Sequence, residues 1–250
     1  MSLPLELVGK ILQTNKDITA LLHFKLYYDL SQFKDFDWAC KNGNLHFVEY
    51  LVSRKLDYTT GINLASRYGH LNIVKFLHSI GKYCSESMDL ACKYGHLETV
   101  KFLHSTEKYI CTIMKKLCRK GSLQIIKFLH STGKYCFTNC MDSAILKGRL
   151  DIVRYLHSIG GKCNTYFAIL SASSMGHLEV VKFLHSIGEE PSQNAMISAS
   201  LNGKLNVVKF LHSIGKECCE DSINEATNNG HFETLSFLLS NQKVTRRTST

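Results

Sequence analysis

Twelve histidines and ten cysteines are the side chains of this 250-residue chain that could most readily do chemistry, and their spacing decides what they can do. His78, His104, His130, His157, His185 and His212 sit in one recurring tetrapeptide, FLHS or YLHS, and His70, His96, His177 and His231 each follow a glycine. Zinc needs its nitrogens about 2 Å away. Equivalent positions on neighbouring packed helices stand about 10 Å apart, so a ladder of that pitch cannot chelate an ion. Half-buried histidines with a backbone hydrogen bond near a helix end are the expectation. Cys84, Cys136, Cys163 and Cys218 fall fifteen places after a recurring glycine, while Cys40, Cys92 and Cys118 fall three before one. Both positions ask for a small apolar group, which a reduced thiol supplies. There is no CxxC pair, and the adjacent Cys218 and Cys219 cannot both face one metal without distortion, so structural thiols in a reducing compartment are expected. No G-x-S-x-G, phosphate-binding glycine loop, H-E-x-x-H or isolated carboxylate pair is present; Glu189, Glu190 and Pro191 read as a variant loop. The expectation is a non-enzyme with no catalytic, cofactor-binding or metal-ligating residue and no cofactor.

The elements that position these side chains are repeats. GHLNIVKFLHSIG at Gly69 returns at Gly95, Gly121, Gly148, Gly176 and Gly203, with looser copies at Gly43 and Gly230, at intervals of 26, 26, 26, 27, 28, 27 and 27 residues. Within a copy Leu71, Val74 and Leu77, flanked by Ile73 and Phe76, form one apolar face at helical spacing. A glycine twelve places on, as at Gly81 or Gly160, marks a left-handed helix stop. The segments before each lead glycine, such as INLASRY and MDLACKY, read as a shorter first helix with small residues inward. Each unit is thus helix, glycine turn, helix, loop, and must stack on its neighbours to bury its apolar face. The predicted fold is all-α, with about eight such hairpins over 36–241, divided near 36–61, 62–87, 88–113, 114–140, 141–168, 169–195, 196–222 and 223–241. Residues 1–35 read as a helical cap and 242–250 as a mobile basic tail.

The formal charge of +9 would suggest nucleic acid or a membrane surface if it were clustered. Instead Lys75, Lys101, Lys127, Arg154, Lys182 and Lys209 recur at one outer-helix position, and Lys82, Lys108, Lys134 and Lys216 at another, which reads as a solvated convex face. Glu6 interrupts the first apolar run and no stretch approaches the ~20 apolar residues of a membrane span. A soluble, intracellular monomer without membrane association is expected, in cytoplasm or nucleus.

The run Ala91, Gly95, His96, Leu97, Glu98, Val100, Leu103 and its copies resembles the A-x-x-x-G-H-L-E-x-V-x-x-L core of ankyrin repeats. The resemblance implies an ankyrin-like α-solenoid that binds a protein through its concave face. This chain departs from that family in its shorter period and in reading TGIN, ESMD or TIMK where the family has T-P-L-H, so the β-hairpin finger should be reduced or lost. LPLELVGKIL at the start resembles an F-box, which would place docking to a cullin-type ubiquitin ligase on Leu3, Pro4, Leu7, Ile11 and Leu12; the F-box's tryptophan-containing end is absent, and pure capping is the alternative. The near-identical, lysine-rich copies resemble the ankyrin families of giant DNA viruses of amoebae and of amoebae themselves.

What varies among the copies is most informative for binding. The two residues before each lead glycine give Lys41, then Arg67 and Tyr68, Lys93 and Tyr94, Arg119 and Lys120, then Lys147, after which the positions turn neutral or apolar. Tyrosine and arginine anchor interfaces, although a basic residue here is also compatible with an ordinary solvated ridge. The leading expectation is a non-enzymatic scaffold holding an unidentified protein partner, acidic or of mixed polarity, on Lys41, Arg67, Tyr68, Lys93, Tyr94, Arg119, Lys120 and Lys147. The alternatives are a substrate-recruiting ubiquitin ligase adaptor and, least favoured because the charge is spread outward, a nucleic-acid binder.

Overall fold

The computed structural model describes residues 36–53, 60–135 and 140–242. The predicted N-terminal cap, its F-box-like residues and nearly all of the predicted tail lie outside them. Sixteen helices and no strand occur among the described residues, and the chain forms two compact units, Met1–Ile113 and Met114–Thr250.

The first unit holds three helix hairpins: α1 (Phe36–Asn42) with α2 (Leu45–Ser53), α3 (Gly61–Tyr68) with α4 (Leu71–Ser79), and α5 (Glu86–Tyr94) with α6 (Leu97–Ser105). The first helices α1, α3 and α5 pack side by side, as do α2, α4 and α6. The second unit holds five: α7 (Met114–Lys120) and α8 (Leu123–Ser131), α9 (Met141–Ile145) and α10 (Leu150–Ser158), α11 (Thr165–Met175) and α12 (Leu178–Ser186), α13 (Gln193–Leu201) and α14 (Leu205–Ser213), α15 (Glu220–Asn228) and α16 (Phe232–Ser240). The fold is therefore all-α, built of helix-turn-helix repeats stacked on their neighbours within each unit. The short links after the second helices, such as Ile80–Ser85, carry no strand, so the finger expected to be reduced is missing there.

Small residues let the first helices approach. Ala39, Ala65, Ala91, Ala144, Ala172, Ala199 and Ala226, each four places before its glycine, are fully buried. The next position is Cys40, Cys92 or Cys118 in some copies and Ser66, Ser173 or Ser200 in others, all fully buried, so the thiols occupy a size-limited packing position. Burial, with Asp37 adding to it, pushes the Cys40 thiol up to about 12. Hydrogen bonding to Cys111 and burial raise Cys92, and hydrogen bonding to Cys140 and burial raise Cys118. None of the nine described cysteines is in a disulfide.

A histidine from one hairpin locks the glycine turn of the preceding one. Gly69 ends α3 at φ 81°, and the following His70 N–H donates back to the Ala65 carbonyl at 2.9 Å. A Cβ at Gly69 would lie 2.4 Å from His96 Nδ1, so the position excludes a side chain twice over, by backbone angle and by contact. The far nitrogen of the same ring lies 2.8 Å from the Arg67 carbonyl, and His70 reaches the Lys41 carbonyl at 2.8 Å. In the second unit His177 and His231 stand over Gly148 and Gly203 and bond the carbonyls of Leu146 and Leu201 at 3.3 and 3.0 Å.

In the other histidine series His212 makes the expected backbone bond, to the Lys216 carbonyl at 3.3 Å, and several rings also pack on an aromatic of the next hairpin. His78 meets the Phe102 ring edge to face at 5.6 Å, and Lys75 lies 5.8 Å from the same ring. The pattern recurs with Tyr155 between Lys127 and His130, Phe183 between Arg154 and His157, and Phe237 between Lys209 and His212. In these copies the outer-helix cation and histidine grip the aromatic of the next hairpin, each cation–ring contact contributing about 0.5–1 kcal/mol at an exposed site.

Two positions break the pattern. Gly121 does not adopt positive φ, and Ser122 stands where four other copies have histidine. Glu107 does adopt it, at φ 57°, in the place where other copies carry the helix-stopping glycine. A left-handed conformation costs an L-residue about 1–2 kcal/mol, so Glu107→Gly should raise stability by about 1 kcal/mol once the freer unfolded chain is allowed for; a lowered urea midpoint would refute that strain. Leu184 is fully buried within α12, and Leu184→Ala should cost about 2–5 kcal/mol, measured in the same melts.

Candidate functional site

The last turns of α1, α3 and α5 carry Lys41, Arg67 and Lys93. Cations there complement the helix dipole, which explains a basic residue but not the tyrosines beside it. Tyr68 and Tyr94 remain 38% and 41% exposed despite their size. Lys41 Nζ lies 5.6 Å from the centre of the Tyr68 ring; the Arg67 guanidinium lies 5.6 Å from Tyr68 and 5.0 Å from Tyr94; Lys93 Nζ lies 5.0 Å from Tyr94. The result is an alternating ladder, Lys41–Tyr68–Arg67–Tyr94–Lys93, running across three first helices. Its backbone is held by the two histidine bonds to the carbonyls of Lys41 and Arg67.

Two acidic residues of these helices, Asp37 and Asp89, are occupied elsewhere. Asp37 accepts from the Thr60 hydroxyl at 2.7 Å, which joins one hairpin to the next, and Asp89 accepts from the backbone N–H of Thr112 at 2.8 Å and from its hydroxyl, which ties α5 to the segment that follows α6. On outer helices Lys101 and Lys182 each pair with a glutamate at 2.8 Å. Among the described residues no carboxylate lies within ion-pair distance of Lys41, Arg67 or Lys93. The Tyr94 phenol shows the resulting field: a hydrogen bond with Lys93, helped by the nearby Arg67 charge, lowers its pKa although burial opposes the shift.

Of the sequence-predicted residues, Lys41, Arg67, Tyr68, Lys93 and Tyr94 come together in the first unit. Arg119, Lys120 and Lys147 are exposed on the corresponding positions of the second unit. That unit's ridge then turns apolar at Met175 and Leu201, 52% and 39% exposed. Sequence reasoning missed Tyr166 and Phe167, which stand 48% and 60% exposed at the start of α11; their signal was an aromatic pair at a repeat position that is polar in other copies. The Tyr166 hydroxyl accepts from Asn194 Nδ2 at 2.8 Å.

The side chains that could have done chemistry are not assembled for it. His212 Nδ1 lies 3.6 Å from the Cys218 sulfur, but burial, then the neighbouring Cys219, raises the Cys218 pKa, away from a reactive thiolate. Burial pushes Cys163 up to about 11. Among the described residues no three histidine, cysteine or acidic side chains converge as a metal site, and no described helix is long and apolar enough to cross a membrane.

No family model and no curated protein matches the sequence. Among solved structures, the human ASB11 ankyrin repeat domain aligns at 14% identity over 84% of this chain and 98% of that domain, with a TM-score of 0.41. A likeness that loose adds nothing to the repeat geometry already described.

On alkaline titration followed by tyrosinate absorbance, Tyr94 should ionise ahead of an ordinary phenol. Tyr94→Phe should delete that early step and Lys93→Met should move it upward; a titration unchanged by both would show that the ridge cations do not act on this hydroxyl.

Proposed function

We propose that this chain is a non-enzymatic, ankyrin-type scaffold that captures a protein partner along the cationic and aromatic ridge of its first unit. The observation that carries the reading is the ladder Lys41–Tyr68–Arg67–Tyr94–Lys93, three cations set among half-exposed rings with no carboxylate partner among the described residues. Exposed tyrosine and arginine on a rigid support lose little entropy on binding, and outer-helix lysines paired with glutamates lack that surplus. Arg119, Lys120 and Lys147 extend the same role to the second unit, whose Met175 and Leu201 suit apolar contacts. Reversing charge at Lys41, Arg67 and Lys93 together should abolish capture of the partner by tagged protein, whereas the same reversal at Lys101, Lys127 and Lys182 should not; equal capture by both variants would remove the ridge from the reading.

The opening LPLELVGKIL favours a second role on top of the first, in which Leu3, Pro4, Leu7, Ile11 and Leu12 dock a subunit of a cullin-type ubiquitin ligase while the ridge presents the captured protein as substrate. Leu7→Asp with Ile11→Asp should then eliminate co-purification of ligase subunits without affecting ridge-dependent capture, and co-purification that persists would end this role. The free thiols fit a reducing, intracellular compartment.

A further inference from the structure

We infer that the ridge of the first unit reads an extended segment of its partner in which acidic residues recur at every third position. The inference rests on the ridge being the binding face, and adds the spacing of the ligand. Lys41, Arg67 and Lys93 occupy equivalent places on α1, α3 and α5, which pack side by side. Packed helices stand about 8–10 Å apart, so the three cations form a ruler with that pitch. Histidine bonds at 2.8 Å hold the carbonyls of two of its marks, Lys41 and Arg67.

Few backbone conformations place like side chains on one face at such a pitch. A β-strand repeats a face every second residue, about 7 Å, or every fourth, about 13 Å. A polyproline II segment has three residues per turn and rises about 9 Å in one turn, so every third residue returns to the same face in register with the ruler. An α-helix returns every seventh residue after about 10 Å, but it then offers one acid per two turns. Closely spaced like charges favour extension over helix. The polyproline II segment also sets its other residues toward Tyr68 and Tyr94, whose half-exposed rings fill the intervals between cations and can stack on proline or aliphatic groups. Phosphate chains carry their charges closer together than the ruler does, which favours a peptide over a nucleic acid.

The test measures fluorescence anisotropy of labelled synthetic peptides on the full chain. The peptides share length and composition, with three glutamates in a proline, alanine and serine background, placed at every third, every second or every seventh position. The every-third peptide should bind about three- to tenfold tighter than either other, the amount that two additional exposed ion pairs contribute. Binding should be lost with Arg67→Glu and recovered when the glutamates of the peptide are replaced by lysine and all three ridge cations by glutamate, a rescue that separates charge matching from misfolding. Equal affinity for the three peptides, lost on charge reversal, would overturn the spacing and leave the ridge as the binding face. Preference for the every-seventh peptide would overturn it in favour of a helical ligand. Stronger competition by a single-stranded oligonucleotide than by the matched peptide would overturn it in favour of nucleic acid. Failure of every peptide to bind would also overturn it, while pulldown with the charge-reversed chain still decides separately whether the ridge captures a protein.

Discussion

The contact on which most else depends is an imidazole lying over a glycine. His96 covers Gly69, where any Cβ would collide with it, and its far nitrogen bonds the carbonyl of Arg67. One side chain therefore restricts a residue type and seats one hairpin on the next. The same device joins His70 to Gly43 and Lys41, and in the second unit His177 and His231 to their preceding turns. Because it ties only neighbours, stability in such a stack grows as a sum of hairpin and junction terms. Because it bonds the carbonyl of the residue two places before the glycine, it also fixes the backbone from which the ridge side chains project. Stacking and the ridge share a fastener.

The period, the amphipathic second helices and the glycine stops made the hairpins legible before any coordinates. Val74 and Leu77 are buried as their spacing required, with the flanking Ile73, whereas Leu71 at the head of the same face is only half-buried; Ala65 and Ala91 seat the first helices as their size required. The junctions were far less legible. A repeated Lys-Phe-Leu-His announces that its residues matter but not what they touch, because their partners lie in the adjoining copy, twenty-odd residues away. Lys75 reads as a solvated lysine and is exposed, but its ammonium also lies over Phe102, and His78, read as a backbone-bonded histidine, meets the edge of the same ring. Gly121 reads like every other lead glycine, yet its turn adopts a different backbone angle, with Leu117 packed against the place where a Cβ would stand. Tyr166 and Phe167 escaped notice for a related reason: α11 begins earlier than its counterparts and lifts them into solvent.

The ridge was legible as a list of residue types but not as a ladder. That Lys41, Arg67 and Lys93 end their helices is what dipole compensation alone would select, and a sequence cannot separate that from binding. The arrangement in space adds what dipole compensation does not ask for. Dipole compensation needs one cation per helix and is indifferent to its neighbours, yet here each cation lies near a tyrosine ring, and Arg67 lies near two. A side chain held this way has already given up part of its rotamer freedom, so less remains to be lost when an anion arrives. Two carboxylates that could have neutralised the ridge bond neighbouring segments instead, Asp37 to Thr60 and Asp89 to Thr112. The same helices thus commit Asp37 and Asp89 to cohesion and leave their cations without a carboxylate among the described residues, and the hydrogen bond with Lys93 and the Arg67 charge lower the Tyr94 pKa in turn.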